Sequence, residues 1–429
     1  MSLYCAIDFG TSNSAIALPS AAGVELVALE GPHRTMPTAV FYAVEGIDPH
    51  EELPRQYGRA ALAAYVDGLD GRLMRSMKSL LGSPLMEQTT EVGGGRSVAY
   101  RDVIGGFLRH LKQAAESRAG GPLERAVVGR PVFFVDDDPA RDAQAQAALE
   151  AAARSIGFHE IVFQYEPIAA ALDYEQQAQS EQLVLVADIG GGTSDFSLVR
   201  VGPQRRERID RKDDILANHG VHVAGTDFDR RVELDAILPC CGYRALGPSV
   251  RGQAAREVPS RVYFDLATWH LINTVYAPQR VAELKRMRDF YADPRHHSRL
   301  VRVVTARLGH SLAAAAEAAK IEVAEGGTTE IDLSLVEPGL GERLDERQAL
   351  QAIEADLQRI VDAAVETIAL AGVASERIDA LYFTGGSTGL KPLAERIGAA
   401  FPAAVQVRGD RFASVAHGLG LHARRFAQA

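Results

Sequence analysis

The sequence is short of several features that mark particular classes of protein. Only three of its 429 residues are cysteines, Cys5 and the adjacent pair Cys240 and Cys241, and no Cys-x-x-Cys or His-Glu-x-x-His spacing occurs. A disulfide framework or a structural zinc site is therefore not expected. No run approaches about 18 uninterrupted apolar residues, and no basic segment opens the chain, so we expect neither a membrane span nor a signal peptide and predict a cytoplasmic protein.

Positive charge is also in deficit. The chain has 46 Lys and Arg against 56 Asp and Glu, which gives a formal net charge of -10. An acidic balance of this size argues against a general nucleic-acid-binding surface. The 47% hydrophobic and 24% charged fractions are ordinary for a globular protein. Because the chain is longer than one hydrophobic core usually supports, we expect two lobes.

The clearest local pattern is a glycine-rich hairpin in the middle of the chain. Residues 183–199 read Leu-Val-Leu-Val-Ala-Asp-Ile-Gly-Gly-Gly-Thr-Ser-Asp-Phe-Ser-Leu-Val. β-Forming residues end at Asp188 and an alternating strand follows the glycines, which is typical of two strands joined by a turn. Glycines lack a Cβ, so several backbone N–H groups can approach a phosphate, and Asp188 offers the hard oxygen that Mg²⁺ prefers. Taken alone, such a hairpin is more often a plain tight turn.

The same motif occurs near the N-terminus, which changes that interpretation. Asp-Phe-Gly-Thr-Ser-Asn at positions 8–13 is echoed by Asp-Ile-Gly-Gly-Gly-Thr-Ser-Asp at positions 188–195. The offset from position 8 to position 188 is 180 residues, and two such hairpins half a protein apart indicate a duplicated domain. If they face each other across a cleft, they would hold one triphosphate from both sides.

A third glycine turn lies near the C-terminus. Residues 381–384 read as a strand, Gly385-Gly386-Ser387 as the turn and residues 392–400 as a helix. The N-terminus of a helix after a glycine turn is a ready anion site. Together with the two hairpins, this turn makes nucleotide binding the favoured hypothesis.

Other segments contain charged residues that are candidates for the site, or differ from the rest of the chain in composition. Glu166 stands at a helix start directly after a strand, where active-site residues of α/β proteins gather. Lys78 lies four residues before Gly82, and a lone lysine in such a segment is usually solvated. Glu317 and Lys320 form an i,i+3 pair on one helix. Residues 239–311 suggest an inserted helical subdomain, whose adjacent histidines at 296 and 297 are expected on a wet surface rather than around a metal.

In chain order, these motifs resemble the ATPase domain of the 70-kDa heat-shock chaperones, a family within the actin-like ATPase superfamily. The similar segments are residues 7–14 and 188–195 (the two phosphate loops), 165–172 (the connecting segment), 77–82 (the segment with the γ-phosphate lysine), 317–323 (the adenosine helix) and 383–388 (the adenosine loop). The resemblance covers nearly the whole chain and fits best the shortened, chaperone-like bacterial branch of the family.

The resemblance implies a fold and its division into domains. It implies an α/β, duplicated actin-like ATPase fold with two lobes, 1–180 and 181–429, around a nucleotide cleft. Each lobe would carry an insertion, at about 38–122 in the first and about 239–311 in the second. A C-terminal helix at 413–426 would pack back on the first lobe.

The resemblance also implies a role for each candidate residue. Glu166 and Thr193 would orient the attacking water, Lys78 would balance the charge of the γ-phosphate, and Asp188 would contribute to catalysis. Mg²⁺ would be held, through its water shell, by Asp8, Asp188 and Asp195. The residues implied in nucleotide binding are Gly10, Thr11, Ser12, Asn13, Gly190, Gly191, Gly192, Thr193, Glu317, Lys320, Gly385, Gly386 and Ser387.

The implied cofactors are ATP or ADP with Mg²⁺, and K⁺ is a further candidate ion. Hydrolysis is expected to be slow and to serve a nucleotide-dependent conformational switch. A protein partner or client would dock on the helical insertion, and neither nucleic acid nor a membrane is an expected partner.

The sequence departs from the family pattern at two contact positions. Ala324 stands where the adenosine helix usually has a serine, and Gly389 stands where an arginine usually packs on the adenine ring. A stacked guanidinium is worth roughly 0.5–2 kcal/mol, so looser adenine binding is expected. The insertion at 239–311 shows little of the usual family sequence.

Two other functions stay open at this point. A small-molecule kinase of the same superfamily would release ADP in response to substrate without free phosphate. An actin-like filament protein would sediment in an ATP-dependent way.

One prediction concerns peptide binding. The sequence ends at Ala429, and no segment of it resembles the hydrophobic linker or the peptide-binding β-sandwich of full-length relatives. We therefore predict that the 429-residue protein does not hold extended hydrophobic peptides, with or without ATP. Fluorescence anisotropy of a labelled peptide measures this, and micromolar binding that ATP weakens would contradict the prediction.

Overall fold

The computed structural model describes residues 4–20, 23–44, 53–93, 95–135, 138–249, 254–324, 326–410 and 413–428. The strands are β1 Tyr4–Phe9, β2 Asn13–Ser20, β3 Gly23–Leu26, β4 Thr35–Pro37, β5 Ala39–Ala43, β6 Arg55–Tyr57, β7 Gly71–Arg75, β8 Thr89–Gly93, β9 Arg96–Ala99, β10 Arg125–Arg130, β11 Glu160–Tyr165, β12 Gln182–Ile189, β13 Ser194–Val201, β14 Ile215–Val221, β15 Thr328–Asp332, β16 Gly341–Asp345, β17 Ala380–Thr384 and β18 Val405–Arg408. The α-helices are α1 Gly58–Val66, α2 Tyr100–Ala119, α3 Pro139–Ser155, α4 Glu166–Gln177, α5 Gly225–Val232, α6 Arg261–Leu266, α7 Ile272–Val275, α8 Pro278–Arg286, α9 Pro294–Thr305, α10 Gly309–Val323, α11 Glu346–Leu370, α12 Lys391–Ala400 and α13 Ser414–Gln428. Across these ranges, no helix is long and apolar enough to cross a membrane.

The first sheet contains the N-terminal hairpin. Its strand order is β11-β10-β1-β2-β3, and β4 pairs with β2. β10 runs parallel to β1 and β11, while β2 runs antiparallel to β1. Successive side chains of a strand point to opposite faces, and accordingly Ile7 packs in one core with Phe107 of α2 while Ala6 packs in another with Leu419 of α13. Helices therefore cover both faces, which explains why β1 is apolar almost throughout.

The second sheet contains the central hairpin. Its strand order is β14-β13-β12-β17-β18. β12 pairs antiparallel with β13, which places Asp188 opposite Asp195, and it pairs parallel with β17, which places Asp188 opposite Thr384. The hairpin predicted from the run of β-formers is thus present, and the third glycine turn begins beside its end.

The two sheets repeat one topology. In each, an antiparallel meander (β1-β2-β3 or β12-β13-β14) is extended on the side of its first strand by two parallel strands (β10 and β11, or β17 and β18). The mixed α/β, duplicated fold class predicted from the repeated motif is confirmed.

The chain divides into two compact units. The first comprises Met1–Val221, Ala363–Thr388 and Ile397–Ala429 and contains both sheets; the second comprises His222–Asp362 and Gly389–Arg396. The predicted lobe boundary at 180/181 and the predicted insertion limits remain predictions.

The second unit is built mainly from helices around its own core. Cys241, Tyr263, Leu300 and Ala316 are among its buried residues, and the hairpin β15–β16 contributes Ile331. One expectation for this region is wrong. His297 is buried rather than on a wet surface, because its ring Nε2 lies 2.9 Å from the backbone oxygen of Leu284, which satisfies one polar atom of the ring away from water.

Helix α4 is fixed along its length by close contacts within the first unit. Gly418 of α13 lies against its backbone, since a Cβ at that position would be 1.8 Å from the oxygen of Ala169. At the other end, Glu175 accepts hydrogen bonds from the buried guanidinium of Arg211 at 2.9 and 3.0 Å, and Asp214 shares that guanidinium. Removing one partner of a buried ion pair strongly destabilises a protein, so this pair holds α4 in place.

His422 generates a prediction for the pH dependence of stability. Its ring is fully buried in α13, and Nδ1 lies 3.3 Å from Nε2 of Gln164. Burial, helped by the charges of Arg425 and Arg211, lowers the pKa of His422 from 6.5 to about 4. The imidazole is therefore neutral when folded and takes up a proton more readily when unfolded, so its stabilising contribution is complete above pH 6.5 and is lost as the pH falls toward 4. Between pH 7 and pH 5 this group alone removes about 2 kcal/mol from the free energy of unfolding.

The measurement is urea unfolding of the parent and of His422→Gln at the two pH values. The variant cannot titrate at this position, so its unfolding free energy should fall by about 2 kcal/mol less than that of the parent. Equal losses in the two proteins would contradict the buried, neutral state of His422.

Candidate functional site

The site is organised by an ion pair between two residues that are 88 positions apart. Lys78 Nζ donates to Glu166 Oε1 at 2.5 Å, and the two side chains are 10% and 15% exposed. Lys78 lies in the 3₁₀ turn Met77–Leu80, which follows Ser76 in a left-handed conformation (φ 54°). Glu166 is the first residue of α4, immediately after β11. The structure thus brings together the lysine and the glutamate that the sequence analysis singled out separately.

The two repeated aspartates belong to the same electrostatic cluster. Removal from water, with repulsion from Glu166 and Asp188, raises the pKa of Asp8 to about 8, and Lys78 opposes the rise. Removal from water, with repulsion from Asp195 and Glu166, raises the pKa of Asp188 to about 7, again opposed by Lys78. The cluster therefore holds more carboxyl groups than one ammonium can neutralise.

Lys78 stays charged in these surroundings. Burial by itself would lower the pKa of Lys78, but the carboxylates of Glu166, Asp8 and Asp188 outweigh burial and raise it. Lys78 is therefore the shared counter-charge of the cluster. An anion that approaches the site would compete with these carboxylates for its ammonium group.

The first hairpin turn needs a glycine and is held by a residue that the sequence analysis did not single out. A Cβ at Gly10 would lie 2.1 Å from the backbone oxygen of Asn13. Thr38 donates through Oγ1 to the oxygen of Gly10 at 2.8 Å, and its N–H donates to the oxygen of Ser12 at 2.9 Å. Thr38 is buried and also contacts the hydroxyl of Ser14 at 2.7 Å. The only sequence signal was its place next to a proline just before a strand.

The second hairpin turn is closed by a backbone hydrogen bond, and there is open space next to Gly192. The N–H of Gly190 donates to the oxygen of Thr193 at 2.9 Å, whereas a Cβ at Gly192 would meet nothing within 4 Å. The hydroxyl of Thr193 donates to Oδ2 of the exposed Asp195 at 2.8 Å. The glycine surface is therefore accessible, and Thr193 and Asp195, predicted for different roles, are in direct contact.

The third glycine turn lies against the second hairpin. Ser387 donates through Oγ to the oxygen of Gly190 at 2.7 Å. Gly385 has φ +86°, and a Cβ there would be 2.4 Å from the oxygen of Ile189 and 2.7 Å from Oδ1 of Asp188. Only glycine fits this left-handed, crowded position. The structure thus joins two of the three glycine turns through direct contacts.

Glu317 and Lys320 both lie in the second unit. Both are on α10, where Lys320 pairs with Asp229 of α5 at 2.6 Å while Glu317 is exposed. Burial raises the pKa of Asp229 to about 6, and Lys320 opposes the rise. The sequence analysis did not identify Asp229, although it lies four residues after Gly225, the first residue of α5. The adenosine-contacting role of Glu317 and Lys320 remains a prediction.

The donor set for a metal is limited. Among the residues that the structure describes, no group of three or more His, Cys, Asp or Glu is placed to hold a metal ion. Asp8 and Asp188 still supply hard carboxylate oxygens in a cluster with excess negative charge. Such a pair suits a cation that keeps most of its water shell and binds through one or two carboxylates, as Mg²⁺ usually does.

The part of the chain that carries both hairpins, Lys78 and Glu166 matches a known family. The family model described as Hsp70 protein matches residues 4–234, which is more than half of the chain. The chain belongs to the Hsp70 family. The match includes Asp8, Asp188 and Asp195 but ends before α10 and the third glycine turn.

Curated relatives match about half of the chain and about a third of their own length. The chaperone protein DnaK of Thermosipho melanesiensis and that of Thermosipho africanus are each 31% identical over 229 residues. The chaperone protein dnaK1 of Prochlorococcus marinus is 31% identical over 243 residues. Each alignment covers 53% of this chain and 34% of the relative, so the chain matches about a third of the length of these chaperone proteins.

The crowded carboxylates of this Hsp70 protein generate a prediction. Asp8→Asn keeps the size of the side chain and replaces a buried carboxyl group, whose pKa is raised to about 8, with a group that neither ionises nor takes up a proton. We expect the nucleotide-free variant to be more stable than the parent by roughly 1–3 kcal/mol, because relief of unfavourable charge at a functional site stabilises the fold. The exposed Asp70→Asn is the control and should change little. Chemical denaturation measures this, and a destabilised Asp8→Asn protein would contradict the description of the cluster.

Proposed function

We propose that this chain binds Mg-ATP and hydrolyses it slowly, as the nucleotide-dependent switch of an Hsp70-type chaperone system. The observation that carries the proposal is the cluster at the ends of the duplicated hairpins, where Lys78 pairs with Glu166 beside Asp8 and Asp188. In phosphoryl transfer the protein mainly positions groups and balances charge. A cluster with one cationic and several anionic side chains next to glycine turns suits that task.

Phosphate binding is assigned to the backbone of the two hairpins. The N–H groups of residues 10–12 and 191–193 would cradle the β- and γ-phosphates, which the open space at Gly192 and the tight turn at Gly10 support, while the N–H of Gly190 closes the second turn. Ser387, bonded to the oxygen of Gly190, would keep the second turn in shape.

Asp8 and Asp188 fit Mg²⁺, because removal from water and repulsion from neighbouring carboxylates raise their pKa values, and a bound cation would favour their ionised forms. They would hold the ion, with Asp195 as a further contributor. When bound, Mg²⁺ neutralises charge on the phosphates.

The ion pair between Lys78 and Glu166 supplies a substrate-dependent step. In the structure, Glu166 Oε1 accepts a hydrogen bond from Lys78 at 2.5 Å. A γ-phosphate is a stronger partner for the ammonium group because it carries more negative charge, so Lys78 would turn toward it. The carboxylate of Glu166 is then free to accept a hydrogen bond from water and orient it, with the hydroxyl of Thr193 as a second contact.

The chaperone assignment rests on the family and on one surface feature. The curated relatives are named chaperone proteins. On the second unit, Leu246, Phe264 and Phe290 are exposed by 54%, 37% and 53%. We assign partner or client docking to the helical insertion, which carries these three exposed apolar side chains. Slow turnover fits a conformational switch rather than a metabolic role.

Mg²⁺-dependent nucleotide binding and hydrolysis test the proposal directly. Isothermal titration with ATP should show binding that strengthens with Mg²⁺, and phosphate release should be slow but dependent on the protein. Absence of binding heat at high micromolar ATP with folded protein would overturn the assignment. ADP formation without free phosphate, stimulated by a small molecule, would favour a kinase instead.

A substitution at Glu166 separates binding from chemistry. Glu166→Ala should keep the ATP affinity within about threefold and lower the rate of hydrolysis at least 10-fold, because a water-orienting group acts mainly in the transition state. The exposed Glu87→Ala is the matched control and should hydrolyse ATP like the parent. Parent-like hydrolysis by Glu166→Ala would show that the role assigned to Glu166 is wrong.

A further inference from the structure

The side chain of Glu166 occupies space that strand β10 leaves open by having a glycine. A Cβ built at Gly129 would lie 3.2 Å from Cγ of Glu166 and 3.3 Å from its Oε1, the oxygen bonded to Lys78. The same Cβ would lie 3.1 Å from Cδ1 of Leu419 in α13. These separations are tighter than ordinary van der Waals contact, so any residue with a Cβ would force a neighbour to move.

The backbone does not explain the glycine at this position. Gly129 is inside β10, paired with Gln164 of β11, and its φ is not positive. A glycine inside a strand weakens the strand and often marks the close approach of another group. Here the approaching group is the carboxylate arm of Glu166.

Glu166 has little freedom to move away as a whole. Its helix α4 is packed backbone to backbone against Gly418 of α13, and the pair of Glu175 with Arg211 fixes the far end of the helix. A collision at Gly129 would therefore be relieved by rotation of the Glu166 side chain rather than by a shift of α4.

The residue after Gly129 holds the residue before Glu166. The guanidinium of Arg130 lies 5.1 Å from the ring centre of Tyr165 and pairs with Asp142 at 2.8 Å. The end of β10 thus constrains both the start of α4 and the direction of its first side chain.

We propose that Gly129 is a positioning residue, whose missing side chain sets the orientation of the Glu166 carboxylate toward Lys78 and, on the basis of the proposed function, toward the attacking water. A shift of a few tenths of an ångström at a water-orienting group is enough to slow the chemical step by about 3- to 10-fold, since a 1 Å misplacement can cost about 100-fold. Nucleotide affinity, which depends on other groups, should not change.

The experiment compares Gly129→Ala with the parent in ATP affinity and in single-turnover hydrolysis. The expected result is unchanged affinity with hydrolysis slowed about 3- to 10-fold. Gly105→Ala is the control, because that glycine is also buried in the first unit but its Cβ would meet only Ser155 Oγ, at 3.5 Å. Parent-like hydrolysis by Gly129→Ala, or an equal slowing by Gly105→Ala, would overturn the proposal.

Two further variants separate positioning from simple packing. Leu419→Ala removes the other side chain that the new Cβ would crowd. The double variant Gly129→Ala/Leu419→Ala should therefore still hydrolyse ATP slowly. Full recovery of the hydrolysis rate would show that the effect arises from contact with α13 and would overturn the proposal. In a Glu166→Ala background the added methyl group has no carboxylate to displace, so Gly129→Ala should cause no further slowing. Additive slowing would show that Gly129 does not act through Glu166.

A crystal structure of Gly129→Ala provides a readout that does not depend on ATP hydrolysis. The Lys78 Nζ to Glu166 Oε1 distance should be longer than in a parent crystal structure by a few tenths of an ångström or more. An unchanged distance would overturn the positioning role even if the protein proved to have no ATPase activity. Absence of hydrolysis by the parent, by contrast, would count against the proposed function.

Discussion

One ammonium group shared among several carboxylates is the constraint on which the candidate site depends. Lys78 bonds to Glu166 and also attracts Asp8 and Asp188, and these charges keep it protonated although it is buried. Burial, together with repulsion from the neighbouring carboxylates, raises the pKa values of the two aspartates. A site with this imbalance is predisposed to take up a cation with an anionic ligand, because together they relieve the repulsion and offer Lys78 a new partner. This charge distribution is the basis on which we propose that the site binds a metal ion and a nucleotide together.

The duplicated fold is what brings these groups into one place. β1 and β12 occupy equivalent positions in two sheets of the same order, so both aspartates stand at strand ends that lead into glycine turns. Helix α4 then carries Glu166 to Lys78, and Gly129 leaves the room that its side chain needs. Other contacts of the first unit hold α4 in place: α13 packs on it at Gly418, and Arg211 pairs with Glu175.

The sequence predicted the parts of the site that follow from local patterns. The repeated Asp-x-Gly-Thr-Ser motif predicted both hairpins and the duplicated fold, and the strand-to-helix transition pointed to Glu166. Contacts between residues that are far apart in the chain could not be predicted, because the residue pattern of a single sequence reports only on nearby positions. Thr38 supports the first turn from the residue between β4 and β5, and the pairing of Asp229 with Lys320 joins two helices. Gly129 cannot be told from any other strand glycine by its sequence. His297 was misplaced for the same reason, since the carbonyl that satisfies its ring lies on another helix.

The central claim is that an incoming phosphate takes Lys78 from Glu166. A crystal structure of the protein with Mg²⁺, ADP and a planar γ-phosphate analogue such as aluminium fluoride tests it most directly. The account predicts the analogue between the turns at residues 10–12 and 190–193, with Lys78 Nζ within hydrogen-bond distance of it and more than about 4 Å from Glu166 Oε1. A Lys78 that still bonds to Glu166 while the analogue is bound, or an analogue bound away from both turns, would contradict it.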